Sequence, residues 1–148
     1  MRIAIFSVGS QGDVRPQAAL GAGLARAGHR VTLVTLEAFR ELALSCGLEF
    51  AAVDIDPFAF IRGDIGQAWM SSMDSPVRLL RGVSRAAGEF LGRLNDEALA
   101  ACAGCEALLY NVPLSISGHT IAEALGVPGI PTAVAPYHPS REFPSILL

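Results

Sequence analysis

Short apolar runs separated by glycine-rich turns set the hydrophobic pattern of this chain. The first run, residues 2–8, is almost continuously apolar, which is typical of a strand buried on both faces of a parallel sheet. An Ala- and Leu-rich segment follows, and its pattern predicts a helix over 16–27 that Gly28 ends. The same alternation predicts four more strands, over 30–35, 49–53, 107–111 and 130–135. It also predicts helices over 37–46 and 117–125. A long helix is predicted to start at 76, and its apolar stripe extends to 98.

This alternation of strands and helices predicts an α/β fold with a doubly wound, Rossmann-like, mostly parallel sheet and helices on both faces. We expect the strand order 3-2-1-4-5. Ligands of such folds bind outside the carboxyl ends of the strands, where the strand order reverses. That point lies between the first and fourth strands, so the loops 9–15 and 111–119 should line one site. The loop after the fifth strand, with Tyr137 and His138, should lie beside them.

Composition and net charge indicate the class of protein and exclude some kinds of partner. The 148 residues are 51% hydrophobic with a mean hydropathy of +0.43, which indicates one folded domain with a sizeable core. A net charge of −3 means that the chain has no excess of basic residues with which to bind nucleic acid or an anionic membrane. No apolar run approaches the roughly 20 residues of a membrane span, and no signal-peptide pattern opens the chain. We therefore expect no transmembrane segment and a cytoplasmic location.

The turn after the first strand, GSQGDVRP at 9–16, holds the candidate chemistry. Gly9 and Gly12 permit a tight turn and close approach by another molecule, and Pro16 suits the first turn of a helix. Asp13 stands just ahead of the predicted helix, where a carboxylate can cap free N–H groups. From the residues alone, the turn is a helix cap, a phosphate cradle or a catalytic base.

Other cofactor signatures are incomplete. A dinucleotide-binding turn needs G-x-G-x-x-G, whereas this chain has only Gly9 and Gly12 and then Asp13, where a pyrophosphate would approach. Cys102 and Cys105 have C-x-x-C spacing, but zinc needs about four ligands and there is no second pair. The pair also falls at a helix end, not at the N-terminus that activates redox thiols. A structural role is favoured, and no metal or cofactor is expected.

The stretch 54–75 and His119 each allow two interpretations. The stretch 54–75 is rich in large apolar side chains, including Phe58, Trp69 and Met70, without a clean period. It either lines an apolar pocket or extends the core. His119 is expected in the first turn of the helix after the fourth strand. Its side chain either faces the cleft or is an ordinary histidine that is packed in the protein or exposed to solvent.

The first 16 residues, MRIAIFSVGSQGDVRP, resemble the strand and loop that open the N-terminal domain of GT-B glycosyltransferases. The group is that of the sterol glucosyltransferases and the antibiotic aglycone glycosyltransferases, the glycosyltransferase family 28 N-terminal type. The segments ARAGHRVT at 25–32, IAEALGVP at 121–128 and REFP at 141–144 also match. The resemblance covers nearly the whole chain and is weakest at 54–75.

This resemblance implies that residues 1–148 form the acceptor-binding half of a GT-B fold. The other half, which binds most of the nucleotide sugar, is expected to be absent, so the chain is either one domain of a longer enzyme or one subunit of a split enzyme. The implied reaction moves a hexose, with inversion, from a nucleotide sugar to a hydroxyl of an apolar natural product or lipid. The chain alone is expected to be inactive. A non-catalytic acceptor-binding subunit and a nucleotide-binding oxidoreductase domain are the alternatives.

Roles for individual residues follow from the same resemblance. Asp13 matches the general base, and Ser10, with Gly9 and Gly12, matches contacts to the donor diphosphate. Gln11 departs from the arginine often found at its position, so a charge contact there is in doubt. The acceptor pocket is predicted to include the apolar, aromatic and polar residues of the cleft loops: Phe58, Trp69, Met70, Asn111, His119 and Tyr137.

Overall fold

The computed structural model describes residues 1–55, 88, 91–135 and 141. Its centre is a five-stranded parallel sheet of order β3-β2-β1-β4-β5, which confirms the predicted fold and strand order. The strands are β1 (Arg2–Phe6), β2 (Arg30–Thr35), β3 (Glu49–Ala52), β4 (Ala107–Asn111) and β5 (Gly129–Thr132).

Helices cover both faces of this sheet within the described residues. They are α1 (Gln11–Arg26), α2 (Arg40–Ser45), α3 (91–101) and α4 (Ser115–Leu125), with short 3-10 turns at Glu37–Phe39 and Val112–Leu114. Val14 and Ala18 of α1 join the core on one face with Ile5 and Leu33 of the sheet. On the opposite face, helices α3 and α4 pack against the other side chains of the strands, and the buried residues there include Leu94, Ala98, Ile121, Ala122, Phe6, Val34 and Tyr110.

The predicted start of α1 is wrong by five residues. The helix begins at Gln11, so Asp13 lies inside its first turn instead of ahead of it, and Pro16 is the sixth helical residue. Pro16 has no N–H, so the carbonyl of Gly12, four residues earlier, loses its usual partner in the helix. The helix nevertheless continues past Pro16 to Arg26, and Ser10 and Asp13 stabilise its N-terminus as a capping box.

Other boundaries move by smaller amounts. β1 ends at Phe6 instead of residue 8, β3 ends at Ala52, and β5 runs over Gly129–Thr132 instead of 130–135. The helix predicted over 37–46 is a 3-10 turn followed by a short α2, and α4 begins two residues earlier than predicted. The first part of the long helix predicted from 76 lies outside the described residues, but its apolar stripe is confirmed at Leu94 and Ala98, which are fully buried.

Candidate functional site

The turn between β1 and α1 fixes the orientation of the Asp13 carboxylate. Ser10 is the N-cap, and both its main-chain N–H and its hydroxyl donate to Oδ2 of Asp13, at 2.7 and 2.8 Å. Ser7, fully buried at the end of β1, donates from Oγ to the main-chain carbonyl of Asp13 at 3.3 Å. The carboxylate is therefore held from one side, and its backbone is tied to the sheet.

The two oxygens of Asp13 have different surroundings. Oδ2 accepts both bonds from Ser10, whereas Oδ1 has no hydrogen-bond partner among the described residues. Asp13 is half-buried, at the carboxyl edge of the sheet. The arrangement leaves one oxygen free to accept a proton while the other keeps the side chain in place.

Gly9 brings the turn close to this carboxylate. Its φ is +150°, and a Cβ at this position would lie 2.5 Å from Oδ2 of Asp13. The N–H groups of Gln11 and Gly12, in the first turn of α1, have no acceptor within the helix because the chain upstream is not helical. The turn thus presents a carboxylate and two first-turn N–H groups at one place.

A row of four polar side chains crosses the sheet beneath this turn, and we call it the polar row: Thr35, Ser7, Asn111 and Thr132. Ser7 and Asn111 directly follow the paired residues Phe6 and Tyr110, and Asn111 is paired with Thr132. The row lies on the α1 face, because Oγ1 of Thr132 is 3.0 Å from Oε1 of Gln17 in α1. Four strands therefore end in hydroxyl or amide groups at the carboxyl edge.

Two members of the polar row are buried without a partner. Asn111 is 3% exposed, and neither its Oδ1 nor its Nδ2 has a hydrogen-bond partner within residues 1–55 and 91–135. Oγ1 of Thr35, which is fully buried, is also unpartnered. A buried polar group without a hydrogen bond costs about 1–3 kcal/mol, so each such group calls for a partner such as a water molecule or a ligand.

The structure places His119 away from this cluster. It is the fifth residue of α4, not in the first turn, and its side chain is 68% exposed, with Nε2 3.8 Å from the Glu123 carboxylate. It lines a groove of about 460 Å³ between α4 and the strands β4 and β5, with Tyr110, Ile116 and Pro131. Its predicted place in the helix is wrong, and its predicted acceptor contact remains a prediction.

Of the predicted site residues, the structure brings together Gly9, Ser10, Gly12, Asp13 and Asn111. The remaining acceptor-pocket residues, Phe58, Trp69, Met70 and Tyr137, lie outside the described residues.

Ser7 and Thr35 were not predicted as site residues. Each looks like an ordinary residue at the end of an apolar strand. The alternation of side chains would place these residues and Asn111 on one face of the sheet, but only the register between strands aligns them in one row.

Cys102 and Cys105 lie at the other end of the molecule, after α3 and at the amino edge of the sheet. Both are free thiols. Burial is the main cause that raises the pKa of Cys102 to about 12, and it also raises the pKa of Cys105. Thiols with raised pKa values are poor nucleophiles at neutral pH, which supports the structural interpretation.

Neither a metal cluster nor a membrane-spanning helix is found in the described part of the chain. Within residues 1–55 and 91–135, no three His, Cys, Asp or Glu side chains are close enough to hold a metal ion. No helix in these ranges combines the length and apolar character that crossing a bilayer requires.

A parallel sheet of order 3-2-1-4-5, with a carboxylate in the turn at its switch point, is the arrangement of α/β domains whose ligands bind at the carboxyl edge. The model of the glycosyltransferase family 28 N-terminal domain matches residues 3–144, and the chain belongs to this family. This result favours glycosyl transfer over the oxidoreductase alternative.

Curated relatives share the sequence over nearly the full chain. A sterol 3-beta-glucosyltransferase of Neurospora crassa is 34% identical over 149 residues, which cover 97% of this chain and 9% of the relative. A sterol 3-beta-glucosyltransferase of Candida albicans is 32% identical over 96% of this chain and 9% of its own length. The chain thus spans about a tenth of the length of these relatives.

Solved structures of GT-B glycosyltransferases share the fold. The calicheamicin glycosyltransferase CalG4 superposes with a TM-score of 0.71 at 20% identity, over 99% of this chain and 33% of that one. The Streptomyces sp. SF2575 glycosyltransferase SsfS6, in complex with thymidine diphosphate, gives a TM-score of 0.65 at 25% identity, over 94% of this chain and 40% of that one.

Proposed function

We propose that this chain is the acceptor-binding half of an inverting glycosyltransferase, which moves a hexose from a nucleotide sugar to a hydroxyl of a sterol or a similar apolar alcohol. The observation that carries the proposal is the Asp13 carboxylate, held through Oδ2 and open at Oδ1 at the switch point of the sheet. The relatives named as sterol 3-beta-glucosyltransferases support the sterol class of acceptor.

In the proposed mechanism, Oδ1 of Asp13 accepts the proton of the acceptor hydroxyl. The hydroxyl oxygen attacks the anomeric carbon from the face opposite the leaving nucleoside diphosphate, and this single displacement inverts the configuration. A general base must lie about 2.6–3.2 Å from the proton donor's oxygen. Ser10 supports that geometry, because its two bonds to Oδ2 restrict rotation of the carboxylate.

The donor diphosphate is proposed to approach the turn of Gly9, Ser10 and Gly12. The free N–H groups of the first turn of α1 and the positive end of the helix dipole favour an anion there. The Ser10 hydroxyl already donates to Asp13, so the main chain at Gly12 is the better donor to a phosphate oxygen. A second domain, which this chain does not include, is proposed to hold the rest of the nucleotide sugar.

Replacement of Asp13 by asparagine tests the base in the full-length gene product. The asparagine side chain keeps an oxygen that accepts hydrogen bonds from Ser10, so the cap survives, but a neutral amide does not take up the proton. We expect kcat/KM for transfer of glucose from UDP-glucose or TDP-glucose to a 3β-hydroxysterol to fall about 10²–10⁴-fold.

Glu106→Gln is the matched control for this variant. The Glu106 carboxylate also accepts a main-chain N–H, from Arg2 at 2.6 Å, but it lies at the amino edge of the sheet. Its transfer rate should stay within about twofold of the wild type, because the variant removes a charge far from the reaction. A folded Asp13→Asn protein with an unchanged rate would exclude Asp13 as the base.

A further inference from the structure

We propose that Asn111 recognises the acceptor's hydroxyl group, through one hydrogen bond that its amide donates and one that its carbonyl accepts. This inference rests on the proposed function for the identity of the ligand as an apolar alcohol. It assigns the specificity for that alcohol to a side chain on β4, separate from the Asp13 turn.

The first argument is burial. Asn111 is 3% exposed, yet its Oδ1 and Nδ2 both lack a partner in the part of the chain that the structure describes. A primary amide offers two donors and two acceptor positions, so Asn111 leaves its full hydrogen-bonding capacity unused. Burial of an unpaired amide costs at least about 1–3 kcal/mol, which an apolar residue of similar size would avoid. A ligand that pairs with both groups explains why an amide stands here.

The second argument is position. Asn111 is the last residue of β4, at the carboxyl edge, and its register neighbour on β1 is Ser7. Ser7 in turn donates to the main-chain carbonyl of Asp13. Adjacent strands are about 4.8 Å apart, so Asn111 lies one strand spacing from the residue that anchors the candidate base. A hydroxyl bound at Asn111 would thus lie near Asp13.

The third argument is chemical complementarity. A hydroxyl donates one hydrogen bond and accepts others, which matches an amide that presents both N–H and C=O. The four members of the polar row carry no charge, so the row offers no counter-charge to an ionic group. The group that fits is therefore a neutral alcohol.

Asn111→Leu in the full-length gene product tests this role. Leucine has a similar volume and no polar atom, so the unfolding free energy should be unchanged or higher than in the wild type. Binding is measured by equilibrium dialysis, without nucleotide sugar, for radiolabelled cholesterol and for its 3-deoxy analogue, both delivered in cyclodextrin. We expect the affinity for cholesterol to fall at least about tenfold and the affinity for the deoxy analogue to be unchanged or higher.

Ser117→Ala is the matched control. It also removes a buried hydroxyl that has no partner among the described residues, but this hydroxyl belongs to α4, which packs on the face of the sheet opposite to Asn111. It should leave the affinity for cholesterol unchanged. The proposal is overturned if Ser117→Ala and Asn111→Leu weaken cholesterol binding equally, if Asn111→Leu affects both probes equally, or if it lowers the unfolding free energy without a selective loss of cholesterol binding.

The same variants separate this inference from the proposed function. If the wild type transfers sugar and Asn111→Leu binds cholesterol normally, only the inference on Asn111 fails. If no sugar transfer occurs but cholesterol binding depends selectively on Asn111, the proposed reaction fails and the alcohol site stands.

Discussion

Gly9 shows how a single residue controls the geometry of the candidate site. Its φ of +150° is a conformation that side-chain-bearing residues rarely adopt, and the missing Cβ leaves room for the Asp13 carboxylate. A side chain here would displace the oxygen that Ser10 holds. The close turn and the orientation of Asp13 therefore depend on the same glycine.

We predict that Gly9→Ala lowers the unfolding free energy by about 2–3 kcal/mol, through backbone strain and the contact at 2.5 Å from Oδ2 of Asp13. Gly28→Ala is the control, because Gly28 also has a positive φ, +89°, but a Cβ there would meet no atom within 4 Å. It should cost only about 1 kcal/mol. Urea unfolding measures both, and an equal loss in the two variants would show that the contact with Asp13 costs nothing.

The predicted and observed starts of α1 differ because of single residues. Proline is common in the first turn of helices, so Pro16 predicts a start at residue 16. The better signal was Ser10 followed three residues later by Asp13, a shorter form of the capping box. The role of Asp13 as a candidate base is implied by the resemblance, whereas its two unequal oxygens follow from the capping box, because Ser10 donates both of its bonds to Oδ2.

At the scale of elements, the strands were the most predictable part. β4 was placed without error and β1 within two residues, because buried parallel strands are short apolar runs between turn residues. Short helices were less predictable. The segment 37–46 divides into a 3-10 turn and α2, and nothing in its hydrophobic pattern marks that division. The polar row was missed for a related reason, since it is a property of register between strands.

Packing of α4 on the sheet depends on a glycine against an aromatic ring. A Cβ on Gly118 would lie 2.2 Å from Cγ of Tyr110, which is buried in β4. The backbone of α4 therefore rests directly on the ring. Because α4 follows Asn111 after a single 3-10 turn, its distance from the sheet also affects the carboxyl edge.

We predict that Gly118→Ala destabilises the fold by about 2–3 kcal/mol, because alanine must push α4 away from Tyr110. Gly23→Ala in α1 is the control. A Cβ there would meet only the end of the Arg26 side chain, at 3.9 Å, so higher helix propensity should stabilise the protein by about 0.5–1 kcal/mol. Thermal or urea unfolding measures the change in unfolding free energy of both variants, which should be a loss for Gly118→Ala and a gain for Gly23→Ala. A Gly118→Ala variant as stable as the wild type would contradict this packing.

For the whole molecule, the absence of lysine removes one class of side chain that would ionise in the alkaline range. All eleven basic side chains are arginine, so no lysine loses its proton between pH 9 and 12. Burial raises the pKa of Cys102 from 9.0 to about 12, and it raises the pKa of Cys105 as well. In the unfolded chain these thiols ionise near their ordinary pKa, while in the folded chain Cys102 stays protonated.

We predict that the unfolding free energy falls as pH rises from 9 to 12. The stability that comes from the raised pKa of Cys102 is complete below pH 9 and is lost as pH approaches 12, with a slope of up to about 1.4 kcal/mol per pH unit. In the Cys102→Ala variant, the unfolding free energy should fall less steeply between pH 9 and 12. Urea unfolding at a series of pH values measures this fall for both proteins, each relative to its own value at pH 7. Identical slopes in the two proteins would show that Cys102 ionises freely in the folded state.

The double use of the Asp13 carboxylate has a consequence for the timing of the proposed reaction. The side chain that takes up a proton is the same one that closes the N-terminus of α1. Each turnover would therefore neutralise the charge that strengthens the two bonds from Ser10, and the helix end would loosen until the proton leaves. Fraying of this one turn, in step with catalysis, is the motion to seek by time-resolved hydrogen exchange at Ser10.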